Sequence, residues 1–194
     1  MSRVASFDDV LAAAQAGAAW AFRELWETLS PAVAGYLRTR GAAEPDDLTS
    51  EVFLAVFTQL THFTGDEAAL RAYVFTIARR RLVDEIRRRS RRGPEVEWTE
   101  DTDNRRTKSA EEIALDQLGS ARTRELLEGL SDDQRDVLVL RIFADLTVEQ
   151  VAEVLGKRPG AVKALQRRGL DALRKKVSPS PYPSVPAAPQ NPTT

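Results

Sequence analysis

The chain contains no cysteine and only one histidine among its 194 residues. The lack of cysteine excludes disulfide bonds, thiolate metal sites and cysteine nucleophiles. Because His62 is the only histidine, a Ser-His-Asp site elsewhere in the chain and a metal centre with several histidine ligands are excluded as well. No cofactor, metal or catalytic group is therefore indicated.

Long apolar runs and strand patterns are also missing. No run of about 20 apolar residues is present, so we expect no transmembrane helix and no membrane association. Residues 1–9 carry one arginine, two aspartates and no apolar core, unlike a signal peptide. We expect a soluble, cytoplasmic protein. Apolar residues recur at helical spacing throughout, which predicts an all-α fold.

The formal net charge of −1 hides a strong segregation of charge. Residues 1–70 hold four basic and ten acidic side chains, whereas residues 79–92 hold eight arginines and two acids. Residues 157–176 hold eight lysines or arginines and one acid. Two basic segments on a nearly neutral protein indicate two separate contacts with a polyanion. Two solvated helix faces are the alternative interpretation.

Periodicity and composition divide the chain into four parts. Residues 1–92 form a first helical domain, and residues 93–112 form a flexible linker whose first half is acidic. Residues 113–177 form a second domain of four helices. Residues 178–194 hold six of the ten prolines and are expected to be disordered. The sequence thus predicts two small helical domains joined by a flexible acidic linker.

The second domain ends in a predicted helix-turn-helix at residues 147–174. A capping box from Thr147 to Gln150 opens a short amphipathic helix, Gly156 ends it, and Pro159 opens a longer basic helix. Val162 and Leu165 are expected to face inward, on Val151 and Leu155 of the first helix. Three basic side chains then face outward, where they can donate to guanine in a major groove: Lys163, Arg167 and Arg168. The alternative is an ordinary helical hairpin with a basic face.

Three stretches in order are similar to one known family. They read DDLTSEVFLAVF at 46–57, LRAYVFTIARRRLVDEIRRR at 70–89 and TVEQVAEVLGKRPGAVKALQRRGLDALR at 147–174. Together the chain resembles, from about residue 7 to 176, the extracytoplasmic-function (ECF) subfamily of the sigma-70-type bacterial RNA polymerase sigma factors. The resemblance implies that residues 1–92 are sigma region 2, which binds core polymerase and the −10 promoter element. It implies that residues 113–177 are sigma region 4, which reads the −35 element.

The first stretch resembles the family's core-binding helix, Asp-x-x-Gln-Glu-x-Phe. Asp47, Glu51 and Phe53 match this form, and Ser50 stands in place of the glutamine. The resemblance implies that core polymerase is bound by Asp47, Ser50, Glu51 and Leu54. A solvated acidic face opposite a core stripe is the alternative.

The second stretch resembles the promoter-melting and −10 segment. Tyr73 stands where the family has tryptophan, and Arg80 where it has asparagine. The resemblance implies that the loop at 61–67 completes a pocket for a base flipped out of the −10 element, a role that needs aromatic platforms and hydrogen-bond donors. The implied −10 contacts are Phe63, Thr64, Asp66, Tyr73, Arg79, Arg80, Arg87 and Arg88. Core packing is the alternative for Phe63, and Asp84 is expected to pair with a neighbouring arginine.

The third stretch resembles the family's −35 reader. Pro159, Gly160, Val162, Lys163 and Arg168 match its usual form. The implied −35 contacts are Arg158, Lys163, Ala164, Arg167 and Arg168. The linker acids are expected to occupy a polymerase channel built for nucleic acid, or simply to solubilise the linker: Glu95, Glu97, Glu100, Asp101 and Asp103.

The resemblance implies a transcription initiation factor without catalytic activity. Its implied partners are core RNA polymerase, promoter DNA (duplex at −35, melted strand at −10) and an anti-sigma factor. Two other functions stay open. A stand-alone helix-turn-helix regulator needs a dimer and a palindromic site. A metal-dependent nuclease would use Asp46, Asp47 and Glu51.

Overall fold

The computed structural model describes residues 5–92, 126, 127 and 129–177. Within these ranges the secondary structure is entirely helical, which confirms the predicted all-α class. None of these helices is long and apolar enough to cross a membrane. The predicted acidic linker at 93–112, the start of the second domain near 113 and the proline-rich tail at 178–194 lie outside the described residues.

The first domain contains four α-helices, as predicted. They are α1 (Phe7–Gln15), α2 (Ala19–Thr39), α3 (Pro45–Gln59) and α4 (Glu67–Arg92). A 3-10 helix at Leu60–His62 leads from α3 into the loop before α4. The core is formed by fully buried apolar and aromatic side chains of α2, α3 and α4, among them Val33, Tyr36, Leu37, Val52, Phe53 and Phe75.

Two local features shape the first two helices. Ser6 caps α1 in a capping box, in which its Oγ accepts from the Asp9 backbone amide at 3.2 Å and an Asp9 oxygen accepts from the Ser6 amide at 3.1 Å. Helix α2 runs without a break through Pro31, where the sequence allows a kink or a new helix. Proline removes one backbone donor, but the buried Leu29 and Val33 on either side hold α2 against the core.

The second domain contains three described α-helices. They are α5 (Asp132–Ile142), α6 (Val148–Leu155) and α7 (Pro159–Val177). Both predicted capping boxes are present, from Ser131 to Gln134 and from Thr147 to Gln150. Gly156 ends α6 with a left-handed φ of 63°, as predicted for a glycine in this position. The short capped helix, the turn and the basic helix therefore form the expected helix-turn-helix.

The two domains contact each other directly. Helices α5 and α6 of the second domain pack against α2 and α4 of the first. The sequence predicts two separate bodies joined by a flexible linker, and no pattern in it indicates this contact.

Candidate nucleic-acid interface

The basic face of the helix-turn-helix lies on α7. Arg158, Lys163, Arg167 and Arg168 are exposed, and Ala164 is half-buried among them. On the opposite side, Val162 is fully buried and Leu165 is 9% exposed, in the same core as Val151 and Leu155. The predicted division of α7 into an inward apolar side and an outward basic side is therefore correct.

A shallow depression runs along this basic face. It is lined by residues spaced three and four apart on α7: Lys163, Gln166, Arg167, Leu170 and Arg174. Gln166 and Leu170 were missed by the sequence analysis, although helical spacing from Lys163 places both on this side. Arg168 turns to its own helix and donates from Nε to the Ala164 carbonyl at 3.3 Å.

The aromatic pair of the first domain lies where α4 meets the preceding loop. The ring of half-buried Phe63 stacks at a tilt on Tyr73, with 5.7 Å between ring centroids. The Tyr73 hydroxyl donates to the Gln59 side-chain oxygen at 2.7 Å. Thr64 beside the pair is exposed. Phe63 and Tyr73, two of the predicted −10 residues, are thus in contact, and Thr64, a third, lies next to Phe63 in the chain.

Gln15 on α1, which no sequence pattern singled out, holds the loop that carries Phe63. Gln15 Nε2 donates to two carbonyls of this segment, to Leu60 at 3.1 Å and to Phe63 at 2.8 Å. These bonds join residues 45 and 48 positions apart. No local pattern in the sequence marks such a contact.

The end of the same loop is shaped by Gly65 and Asp66. A Cβ on Gly65 would lie 2.9 Å from the Ala69 Cβ and 3.1 Å from Phe63 Cζ, so the close approach requires glycine. Asp66 Oδ1 accepts from the Ala69 amide at 2.8 Å, which caps the start of α4. Asp66 therefore has a structural role besides the predicted contact with DNA.

The arginines of α4 divide into two groups. Arg80, Arg87 and Arg88 are exposed and available for phosphates. Arg79 is half-buried, and its charge acts on Asp136 of the second domain. Arg79 therefore faces the contact between the two domains, unlike the other three.

In the second half of α4 the acid with partners is Glu85, whereas the sequence predicted an ion pair for Asp84. Among the described residues Asp84 is exposed and has no ion pair within 4.0 Å. The neighbouring Glu85 instead accepts from the Ala43 amide at 3.0 Å and lies 3.7 Å from Arg89. Glu85 thereby joins α4 to the loop before α3. The expectation for Asp84 was wrong, because the fold brings the 41–44 loop to Glu85.

Helix α3 exposes the predicted acidic face. Asp47, Ser50 and Glu51 are exposed together with Leu54, which keeps 70% of its surface accessible. The opposite side is buried in the core: Leu48, Val52, Phe53 and Val56. The exposed leucine beside two carboxylates gives this face an apolar centre and a charged rim, an arrangement that a protein-binding surface can use.

Comparison with known proteins identifies both domains. The Sigma-70 region 2 family matches residues 25–92, and the Sigma-70, region 4 family matches residues 126–175. The ECF RNA polymerase sigma factor SigD of Mycobacterium tuberculosis is 33% identical over 182 residues, covering 88% of this chain and 83% of SigD. The chain belongs to the ECF RNA polymerase sigma factors. The resemblance seen in the sequence is therefore confirmed.

Other relatives of this sigma factor agree. The ECF sigma factor BldN of Streptomyces coelicolor is 35% identical over 165 residues, and the match covers 84% of this chain but only 62% of BldN. Two solved structures share the fold. CnrH in complex with the cytosolic domain of CnrY has a TM-score of 0.63 at 23% identity, covering 88% of this chain and 96% of CnrH. RpoE in complex with the anti-sigma factor NepR from Bartonella quintana has a TM-score of 0.60 at 19% identity, covering 83% and 98%.

The family matches place the surfaces of this sigma factor in its two regions. The acidic face of α3, the aromatic pair and the arginines of α4 lie within region 2, and the basic depression of α7 lies within region 4. Gln15 precedes the region 2 match, so the residue that holds the loop comes from outside it. In the described part of the chain no group of three or more acidic or histidine side chains is placed to hold a metal ion.

Proposed function

We propose that this sigma factor binds core RNA polymerase through the exposed face of α3 and reads promoter DNA with two separate surfaces. One observation carries the proposal. Leu54, 70% exposed beside Asp47 and Glu51, lies on the same chain as the basic depression of α7. A stand-alone regulator would need only the DNA-binding surface of α7 and no exposed binding face on α3.

The −35 element would be read by α7. Lys163 and Arg167 line the basic depression, where each can donate to guanine O6 and N7. Arg174 lies at its far end and is exposed, as expected for a phosphate contact. Arg158, Ala164 and Arg168 complete the proposed set at the helix start and along its side.

The −10 element would be held by the loop before α4 and the arginines that follow. A base unstacked from the melted strand would be taken up beside the Phe63 and Tyr73 rings, since stacking on aromatic side chains tolerates any base. Thr64 and the free oxygen of Asp66 can bond its edge. Arg80, Arg87 and Arg88 would hold phosphates at the upstream end of the opened duplex.

The proposed action is binding without catalysis, in the cytoplasm. Melting would follow from capture of an unstacked base, which requires no covalent chemistry. RpoE is described in complex with the anti-sigma factor NepR. We extend that to an anti-sigma partner for this chain, whose exposed α3 and α7 faces are the surfaces that such a partner would need to cover.

Run-off transcription with core polymerase tests the proposal. The chain should support initiation from genomic fragments of its source organism on which core enzyme alone is silent. Leu54→Ala should weaken binding to core polymerase about tenfold or more, as expected for a central apolar residue of an interface. Trp20→Ala is the matched control, because Trp20 is also exposed, at 53%, but lies on α2.

Two results would contradict the proposal. One is the lack of specific initiation on any fragment in the presence of the intact chain. The other is tight binding of the free chain to a two-fold symmetric DNA site without polymerase, which is the behaviour of a dimeric regulator.

A further inference from the structure

Gln15, the last residue of α1, holds the backbone of the loop before α4 at two points. Its Nε2 donates to the Leu60 carbonyl at 3.1 Å and to the Phe63 carbonyl at 2.8 Å. A side-chain amide has two N–H donors, so both are used on this segment. The side chain is half-buried, and α1 packs against the 3-10 helix that contains Leu60. One side chain therefore holds both ends of the turn at 60–63.

The turn at 60–63 needs a donor from another part of the chain. A helix ends in carbonyls that no later amide of the same helix can reach, and these carbonyls need other partners. The backbone becomes extended at Phe63, with φ −73° and ψ 136°, so the helical pattern of hydrogen bonds stops there. Gln15 supplies a donor to the carbonyl of this residue from 48 positions away. The position from which the Phe63 ring leaves the backbone is thus set by α1.

The Phe63 ring is also held by its neighbours. Its Cζ is 3.1 Å from the point where a Cβ of Gly65 would stand, so the ring lies directly on the glycine backbone. It stacks at a tilt on Tyr73, whose hydroxyl is itself bonded to the Gln59 side chain at 2.7 Å. The Phe63 and Tyr73 rings, together the aromatic platform, are therefore already in contact in the chain by itself.

We propose that Gln15 is a positioning residue of the −10 surface, whose two hydrogen bonds hold the aromatic platform in the geometry that receives an unstacked base. The inference rests on the proposed function of the platform. It adds a residue from outside the region 2 match, which begins at residue 25. Gln15 acts through the loop and not by contact with DNA. A loop that is already ordered loses less conformational freedom when it binds a base, so the clamp favours capture of that base.

A purely structural role of Gln15 would have different consequences. If its hydrogen bonds only stabilised the first domain, their loss would lower the stability of the chain. The molecules that remain folded would then capture a base as well as before. If Gln15 positions the aromatic platform, the folded molecules themselves capture the base less well. The two roles therefore differ in how the promoter complex responds when the captured base is removed.

Three variants of the full chain separate these roles. Gln15→Met keeps an unbranched side chain that favours a helix, but it has no N–H donor. Gln15→Lys keeps N–H donors, and its positive charge interacts favourably with carbonyls at the end of a helix. Ala12→Met is the matched control, because it places the same new side chain at an exposed position of α1.

Amide hydrogen exchange of the free chain, followed by NMR, tests the clamp itself. The Phe63 amide donates to the Leu60 carbonyl at 3.0 Å within the clamped turn, so its exchange rate reports how often the turn opens. Exchange at Phe63 should be about tenfold faster in Gln15→Met. It should stay close to the wild-type rate in Gln15→Lys and in Ala12→Met. A wild-type exchange rate in Gln15→Met would overturn the clamp.

An abasic scan of the −10 element tests the positioning role in the holoenzyme. The probes are copies of an initiating genomic fragment, each lacking one base of the −10 element, and the measured quantity is the rate of open-complex formation. At one position, loss of the base should slow opening by the wild type about tenfold, as expected when a stacking contact is removed. With Gln15→Met the intact fragment should open more slowly, and loss of that base should slow it little further, because the two changes remove the same contact. Gln15→Lys and Ala12→Met should keep the wild-type response.

Two results of the scan would overturn the inference. One is a Gln15→Met holoenzyme that loses as much from the missing base as the wild type does, which is the behaviour of a purely structural residue. The other is a Gln15→Lys chain that behaves like Gln15→Met in both measurements, because the N–H donors would then not be what holds the loop. A wild-type holoenzyme that initiates but responds to no missing base in the −10 element would contradict the proposed function of the platform instead.

Discussion

Arg40, the residue that follows α2, and Asp136 on α5 form an ion pair of 2.6 Å between two domains that the sequence predicts to be separate. Arg40 keeps only 11% of its side chain accessible and Asp136 only 8%. Burial raises the pKa of the Asp136 carboxyl above its usual 3.8, although the charges of Arg40 and Arg79 oppose the rise. Burial also raises the pKa of Tyr36, and the charge of Asp136 raises it further.

The raised pKa of Asp136 predicts how the stability of the folded chain depends on pH. A carboxyl whose pKa is higher in the folded state contributes stability that is fully present below the unfolded pKa, near 3.8, and is lost as pH rises through the folded pKa. Asp136→Asn lacks this ionisation. The free energy of unfolding of the wild type, measured by urea titration relative to Asp136→Asn, should therefore fall as the pH is raised from about 3 to 7. A difference that rises over this range would contradict the prediction.

Gln15 is predicted to position the loop of the −10 surface. Gln15→Glu keeps the shape of the side chain but cannot donate to the Leu60 and Phe63 carbonyls, and it should reduce opening of the −10 element on a promoter bound by the holoenzyme. The variant should lower the free energy of unfolding by about 1–3 kcal/mol, because two hydrogen bonds worth about 0.5–1.5 kcal/mol each are lost. Promoter opening can be followed by permanganate reactivity of unpaired thymines.

The control for this variant is Asp8→Asn, which changes an exposed side chain on the same helix. It should leave promoter opening as in the wild type. Normal opening with Gln15→Glu, at unchanged polymerase binding, would remove Gln15 from the residues that position the loop.

A glycine is predicted to be necessary at position 65, because Ala69 and Phe63 leave no room for a side chain there. Gly65→Ala would place a Cβ 2.9 Å from that of Ala69 at a φ of +153°, and it should lower the free energy of unfolding by about 1–3 kcal/mol. Gly160→Ala is the matched control, because nothing lies within 4 Å of its added Cβ. Thermal unfolding of the two variants should separate them clearly. Equal stability of both would show that the loop relaxes around the added methyl group.

Two arginines that line the basic depression of α7 are predicted to have different roles, Arg167 as a base reader and Arg174 as a phosphate contact. Arg167→Ala should relax the preference for one position of the −35 element, at about 1–3 kcal/mol of discrimination, because the side chain is proposed to read a base. Arg174→Ala should weaken binding to all sequences alike and lower its salt dependence, as expected for a phosphate contact. Transcription from a library of −35 variants measures the first effect, and salt titration of promoter binding measures the second. If both variants changed only overall strength, Arg167 would be a phosphate contact too.

The sequence by itself determined the elements of this protein and their outward faces. The capping boxes at Ser131 and Thr147, the left-handed end of α6 at Gly156 and the buried side of α7 were all predicted. These features depend on residues three or four apart, whose interactions are local to a helix. The exposure of Asp47, Glu51 and Leu54 followed from the same periodicity.

The tertiary structure alone decided which residues from distant parts of the chain meet. Pro31 lies inside a continuous helix because the buried residues around it hold α2 against the core. Gln15 clamps the loop before α4, Glu85 rather than Asp84 finds partners, and Arg40 pairs with Asp136. The contacts of Gln15 with the loop, of Glu85 with the Ala43 amide and of Arg40 with Asp136 each join separate elements. A single polar side chain has no periodicity from which such a partner can be predicted. Packing of the helices buries these polar side chains wholly or in part. A buried polar group needs a hydrogen-bond or ionic partner, so packing also decides which groups must pair.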